Sequence, residues 1–117
     1  MIEFEGTFFN QPVSVLIDPR ASLSYIRHHM VEKFSLKTEK YKISWLVQLA
    51  MGTKRRVTNQ VKQSPLYLHV YTTTLNLNFL PLGSYDILIG MDWIEKHGVV
   101  INCVMKTVIC VGLHNQN

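Results

Sequence analysis

The chain is short of several things, and each shortage excludes a class of protein. Cysteine occurs twice in 117 residues, too few for a disulfide-stapled scaffold, so the expected setting is cytoplasmic or nuclear with both thiols reduced. No apolar run approaches the ~20 residues that a membrane helix needs, and no membrane partner is expected. The first residues, MIEFEGTFF, lack a basic region followed by an apolar stretch, so no secretory signal peptide is expected. Charged residues are 17% against 47% hydrophobic, the opposite of a disordered chain. Internal repeats, low-complexity segments and linkers are absent. The length predicts one domain over residues 1–117, with a frayed tail at about 112–117. Aspartate is scarce, at Asp18, Asp86 and Asp92 only. The basic excess is mild, a net charge of +4. Its one dense cluster, Lys54-Arg55-Arg56, fits a solvated loop tip, with nucleic-acid contact as a minor alternative.

What is present is a β-rich texture. Ile2, Phe4 and Phe8 recur near period two, and Asn10-Gln11-Pro12 punctuates. Val13, Val15, Leu16 and Ile17 form a second strand that ends at Asp18, and Ser24-Tyr25-Ile26 a short third. Arg27 to Phe34 has helical spacing, with Ile26, Met30, Val31 and Phe34 on one side. Ile43 to Ala50 and Arg56 to Val61 flank the turn Met51-Gly52-Thr53-Lys54 as a hairpin. Further strands are expected over Leu66–Val70 and Thr72–Phe79, then a loop at Pro81-Leu82-Gly83-Ser84. Ile87-Leu88-Ile89, closed by Gly90, has the unbroken apolar run of a strand buried on both sides. Asp92 to Lys96 predicts one or two helical turns stopped at Gly98, and Val99–Asn102 with Thr107–Val111 a final hairpin. About ten short strands and two short helices predict a small, mostly β barrel or sandwich.

Asp18 is the residue that invites chemistry. A carboxylate at the end of a buried strand is costly unless it is paired or used. A turn-initiating Asp before Pro19 is the plain alternative. Other constellations are poor. The histidines and the C-x6-C spacing of Cys103 and Cys110 do not make a zinc site, so no metal and no cofactor is expected. The two cysteines are placed as reduced core residues facing each other across the last hairpin. Trp45 and Trp93 are placed as core or rim aromatics. No serine occupies a nucleophile elbow, and no glycine-rich loop precedes a helix.

Two stretches carry a resemblance. VLIDPRASLSYI is similar to the catalytic strand and turn of retropepsins, an apolar run followed by Asp-Thr/Ser-Gly-Ala. LPLGSYDILIGMDWIEKHGVVINC resembles their second signature, an apolar pair and glycine, here Ile89 and Gly90, before a short helix. The wording YDILIGMDW with His and Cys downstream is most similar to the protease domain of gypsy-type LTR retrotransposons. Ser22 and Met91 replace a charged pair seen in many retroviral members, and they do so together. The resemblance spans Phe4 to about Val111. It implies a mostly β, retropepsin-like acid protease half-barrel with one or two short helices, and a flap whose tip is Met51-Gly52-Thr53. It also implies an Asp18 pair across a homodimer, with the terminal segments as interface strands, acting on a peptide or on its own polyprotein.

The active-site turn departs from the pattern at two places. Pro19 stands where the family has a hydroxyl residue that bonds across the dimer, and Arg20 stands where it has glycine. Ala21 and Ser22 match. Arg20 is expected to crowd a turn that favours positive φ and to hold Asp18 ionised. The function expected is therefore a retrotransposon aspartic endopeptidase with impaired activity. The alternative is a non-catalytic dimerisation or peptide-binding module, or a degenerate transposon fragment.

Overall fold

A computed structural model describes residues 2–48, 52–68, 71–80, 82, 84–102 and 107–110. In chain order these form β1 (Ile2–Phe8), β2 (Gln11–Ile17), β3 (Tyr25–Ile26), α1 (His28–Lys33), β4 (Glu39–Gln48) and β5 (Lys54–Leu68). Then come β6 (Tyr71–Phe79), β7 (Ile87–Ile89), α2 (Met91–Lys96), β8 (Val99–Asn102) and β9 (Thr107–Cys110). The expected mostly β half-barrel with two short helices is what the chain forms.

β1 and β2 make a hairpin through a two-residue turn, Phe9-Asn10, whose φ angles are 48° and 64°. Positive φ at both positions matches the right-handed twist of the flanking strands. Phenylalanine is unusual there, and its ring is held by stacking on Phe34 at 5.6 Å. Gln11 and Pro12, expected to punctuate, lie inside β2. Pro12 pairs with Thr7 near the hairpin end.

The main sheet has the order β1-β2-β7-β3-β6-β5-β4, and a further pairing of Thr7 with Tyr67 joins β1 to β5. That pairing curls the sheet around a core of Phe8, Val15, Ile17, Ile26, Leu66 and Ile87, among others, all essentially buried. β7 runs parallel to β2 and antiparallel to β3, so it is flanked on both sides. Ile87 and Ile89 pack in this core and Leu88 against a second cluster, so both faces are covered and all three residues are apolar.

Two strands expected at Arg56–Val61 and Leu66–Val70 are one. β5 runs unbroken from Lys54 to Leu68, and its polar middle is an irregularity rather than an end. The register with β6 shifts between Val61 and Ser64, and Gln63 takes φ 52°. A bulge of this kind adds bend and twist without ending the ladder. The long strand can therefore serve the barrel at one end and project as a hairpin limb at the other.

β8 and β9 form a separate two-stranded sheet in which Cys110 stands opposite Val99. Its cross-strand neighbour is therefore not the other cysteine; Cys103 lies outside the described residues, as does the tail from 111 onward. Trp93 is buried and donates its indole N–H to Thr73 Oγ1 at 2.8 Å. Among the described residues no helix is long and apolar enough to cross a membrane.

Candidate active site

Asp18 ends β2, where its N–H donates to the Ile89 carbonyl of β7 at 2.9 Å. The strand pairing therefore fixes where the carboxylate emerges. The next residues fold into a four-residue turn closed by the Ala21 N–H on the Asp18 carbonyl at 3.1 Å. Pro19 takes the second position of that turn, where its fixed φ is favoured. Arg20 keeps a negative φ, so the expected left-handed strain at this residue does not arise. Its backbone N–H donates to Asp18 Oδ1 at 2.9 Å, a bond that needs only a main chain.

The Arg20 side chain changes the electrostatics. Nε lies 3.1 Å from Asp18 Oδ1 and the guanidinium NH2 group 3.3 Å from Oδ2, so both carboxylate oxygens are engaged. The Asp18 side chain is 12% exposed, while that of Arg20 is 71% exposed. Burial pushes the Asp18 carboxyl up, but the hydrogen bonds and charge of Arg20 outweigh it and hold the group below the ordinary 3.8.

The second signature fastens the turn from below. Gly90 leads into α2, and a Cβ there would lie 2.2 Å from the Leu23 carbonyl oxygen and 2.7 Å from that of Ala21. Only glycine allows this approach, which lets Met91 N–H reach the Ala21 carbonyl at 2.7 Å and Asp92 N–H reach that of Ser22 at 3.0 Å. Ile89, the other signature residue, is fully buried in β7.

Several organising residues carried no role in the sequence reading. Ser24 is fully buried; its hydroxyl donates to Asp92 Oδ1 at 2.6 Å and accepts from Gly90 N–H at 3.0 Å. Asp92 Oδ2 accepts the Ser24 N–H at 3.1 Å, and Oδ1 also accepts the Trp93 N–H at 2.8 Å in the first turn of α2. Asn78 of β6 donates both its backbone and its side-chain N–H to the Ser24 carbonyl, each at 3.0 Å. The Asn78 carbonyl oxygen in turn accepts from the Tyr41 hydroxyl of β4, which also meets Gln60 Oε1 at 2.9 Å. The sequence signal for Asp92 was an acidic residue two places after a glycine at a helix start. Nothing local marked Ser24 or Asn78.

β4 and β5 pair antiparallel up to Val47 with Arg55 and Gln48 with Lys54, and Gly52 at the tip has φ +86°. The expected hairpin is there; of its tip, Gly52 and Thr53 are described and Met51 is not. Lys54, Arg55 and Arg56 are all exposed. Trp45, Val47 and Val57 pack with Leu23, Tyr25 and Leu88 in a second small core. One face of the hairpin is thereby turned toward the Asp18 turn. Among the described residues no group of three or more His, Cys, Asp or Glu side chains is placed to hold a metal.

A curled β sheet bearing one aspartate on a turn locked by a glycine-led helix, with a hairpin opposite, is the architecture of a retropepsin-like domain. The family model of the retroviral aspartyl proteases matches residues 3–116, and the chain belongs to that family. Among solved structures it is similar to the retroviral protease-like domain of Ddi1 from Leishmania major. The TM-score is 0.70 at 16% sequence identity, over 95% of this chain and 88% of that one. A comparison with curated proteins finds no match.

Proposed function

We propose that this chain is an aspartic endopeptidase half-site from a gypsy-type LTR retrotransposon polyprotein, and that two copies pair with their Asp18 residues at the two-fold axis. Arg20 holds that enzyme at little or no activity, and Pro19 adds a smaller impairment. Each subunit supplies one carboxylate, so a second copy is needed to complete the dyad. In such a dyad one carboxylate takes a proton from the attacking water. The other, protonated, polarises the scissile carbonyl, and the pair shares one proton because both cannot ionise cheaply.

The observation that carries this reading is the fork of Arg20 on both oxygens of Asp18. Two-fold symmetry sets one guanidinium on each carboxylate. Both then favour the ionised state, and no proton is left for the carbonyl. Loss of one general acid role is typically worth ~10²–10⁴ in rate. Pro19 leaves the turn intact, since the Ala21–Asp18 bond closes around it. What it removes is a hydroxyl that would bond across the dimer.

The same fork favours a second reading, a retropepsin-like module that dimerises or binds peptide without cleaving it. Activity on a peptide library at about pH 4–7 separates the two. Arg20→Gly should recover more activity than Pro19→Thr, the double variant should recover most, and Asp18→Asn should abolish whatever appears. Ordinary rates from the unmodified chain, inhibited by a statine-type transition-state mimic, would show that Arg20 does not restrain the site. No activity in the double variant would overturn the endopeptidase reading.

A further inference from the structure

The flap carries three consecutive basic residues, and the strand register sorts them. Side chains alternate between the two faces of a strand, and residues paired across an antiparallel ladder share a face. Trp45 pairs with Val57 and Val47 with Arg55, so these four lie on one face. Leu46 with Arg56 and Gln48 with Lys54 occupy the other. The first face is the one turned inward, because Trp45, Val47 and Val57 pack against Leu23 and Leu88 beside the Asp18 turn. Arg56 on the outer face is held by the Ser44 hydroxyl at 2.9 Å. Arg55 is the basic residue of the three that the ladder sets on this inner face, at the open end of an otherwise apolar row.

No described residue pairs with Arg55. The carboxylates nearest the cleft are already engaged: Asp18 by Arg20, and Asp92 by Ser24. Asp86 is held by Arg27, and Glu39 at the root of β4 by Lys62. A guanidinium on a ligand-facing wall with no internal anion is complementary to one the ligand brings.

Resting on the peptide-binding reading above, we infer that Arg55 is a specificity-determining residue that selects extended peptides carrying an aspartate or glutamate side chain beneath the flap. The surrounding Trp45 and Val47 supply the apolar contact for the neighbouring peptide side chain. Arg55 supplies a charge-assisted, two-pronged hydrogen bond to the carboxylate. The outer-face residues Lys54 and Arg56 contribute only a general attraction that salt screens.

Binding can be read on the full chain by Trp fluorescence and by anisotropy of labelled probes. The probes are short Val/Thr/Phe peptides bearing Glu at successive positions, with matched Gln and Lys sets, and an oligothymidylate. For at least one position the Glu peptide should bind about five- to tenfold tighter than its Gln partner. Arg55→Gln should erase that ratio, Arg55→Glu should transfer the preference to the Lys peptide, and Arg56→Gln should keep it. A Glu preference that survives Arg55→Gln, or falls equally with Arg56→Gln, overturns the inference while leaving peptide binding in place. So does Arg55-dependent binding of the oligothymidylate in preference to every peptide. If no peptide of any set binds the unmodified chain or Arg20→Gly, the peptide-binding reading falls and the inference falls with it.

Discussion

Residues 18–24 and the β4–β5 hairpin face each other, yet they are held in different ways. In the lower segment the main chain is tied to α2 and β6 through Ala21, Ser22 and Ser24, and to β7 through Asp18. In the hairpin the side chains near the tip are exposed, and a Cβ at Gly52 would meet nothing within 4 Å. The contrast explains how the turn tolerates Pro19 and Arg20. Its shape is set in part by partners on other elements, so Pro19 fits a turn that still closes, and Arg20 alters the chemistry of the carboxylate. The hairpin is fastened at its base by Tyr41, Trp45 and Val57, but the side chains near its tip have no such fastening.

The sharpest way to break the contrast is to add one methyl group to each glycine. Gly90→Ala drives a Cβ into two backbone carbonyls that cannot move aside. It should cost about 3 kcal/mol or more, enough to threaten folding of a domain this small. Gly52→Ala has room but a φ of +86°, and should cost about 1 kcal/mol. Urea unfolding of the two variants measures the difference; equal costs would mean that the tip is as tightly built as the floor.

A smaller effect separates the two ends of the polar chain that runs from flap to floor. Asp92→Ala leaves the Ser24 N–H and hydroxyl and the Trp93 N–H without their acceptor, and should cost about 2–3 kcal/mol. Tyr41→Phe leaves the Asn78 oxygen without its donor at the flap root, and should cost about 1 kcal/mol. Burial, with the charge of Asp92, raises the Tyr41 phenol above the ordinary 10.0. Tyr25 and Tyr85 are raised as well, so absorbance titration of Tyr41→Phe should show one fewer late-ionising tyrosine than the unmodified chain.

The smallest effect concerns acid. The Asp18 pKa is lowered in the folded state, so the stability it contributes is present above the ordinary 3.8 and is lost as pH falls through the folded value. With the Arg20 side chain removed, the backbone N–H at position 20 still favours the charged carboxylate while its strongest opponent, burial, is unchanged, so the depression shrinks. Arg20→Gly should therefore lose less stability than the unmodified chain between pH 7 and the acid side of that value. The difference should be slight, because the Arg20 side chain is 71% exposed. Urea midpoints at several pH values give the comparison.

Much of this organisation was legible in the chain's own pattern. Ile87 to Gly90 announced a buried strand closed by a glycine, and the glycine near 52 announced a hairpin tip, because both depend on residues adjacent in sequence. The continuity of β5 was hidden, since a polar run around Gln63 looks the same whether it ends a strand or bulges within one. Ser24 and Asn78 were hidden for a different reason. Each is an ordinary polar residue until the fold brings its partner from a distant segment. The strain expected at Arg20 did not arise because the turn closes without a left-handed residue at that position.

The parallel pairing of β2 with β7 has a kinetic consequence. It places Asp18, early in the chain, against Ile89, late in it. Such a contact closes a long loop and must wait for most of the intervening strands to be in place. During synthesis the aspartate therefore emerges long before the segment that shapes its turn. A nascent chain that has not yet reached β7 carries the acidic residue without the site. Active-site geometry is thus a late product of folding, arriving together with the closed sheet rather than ahead of it.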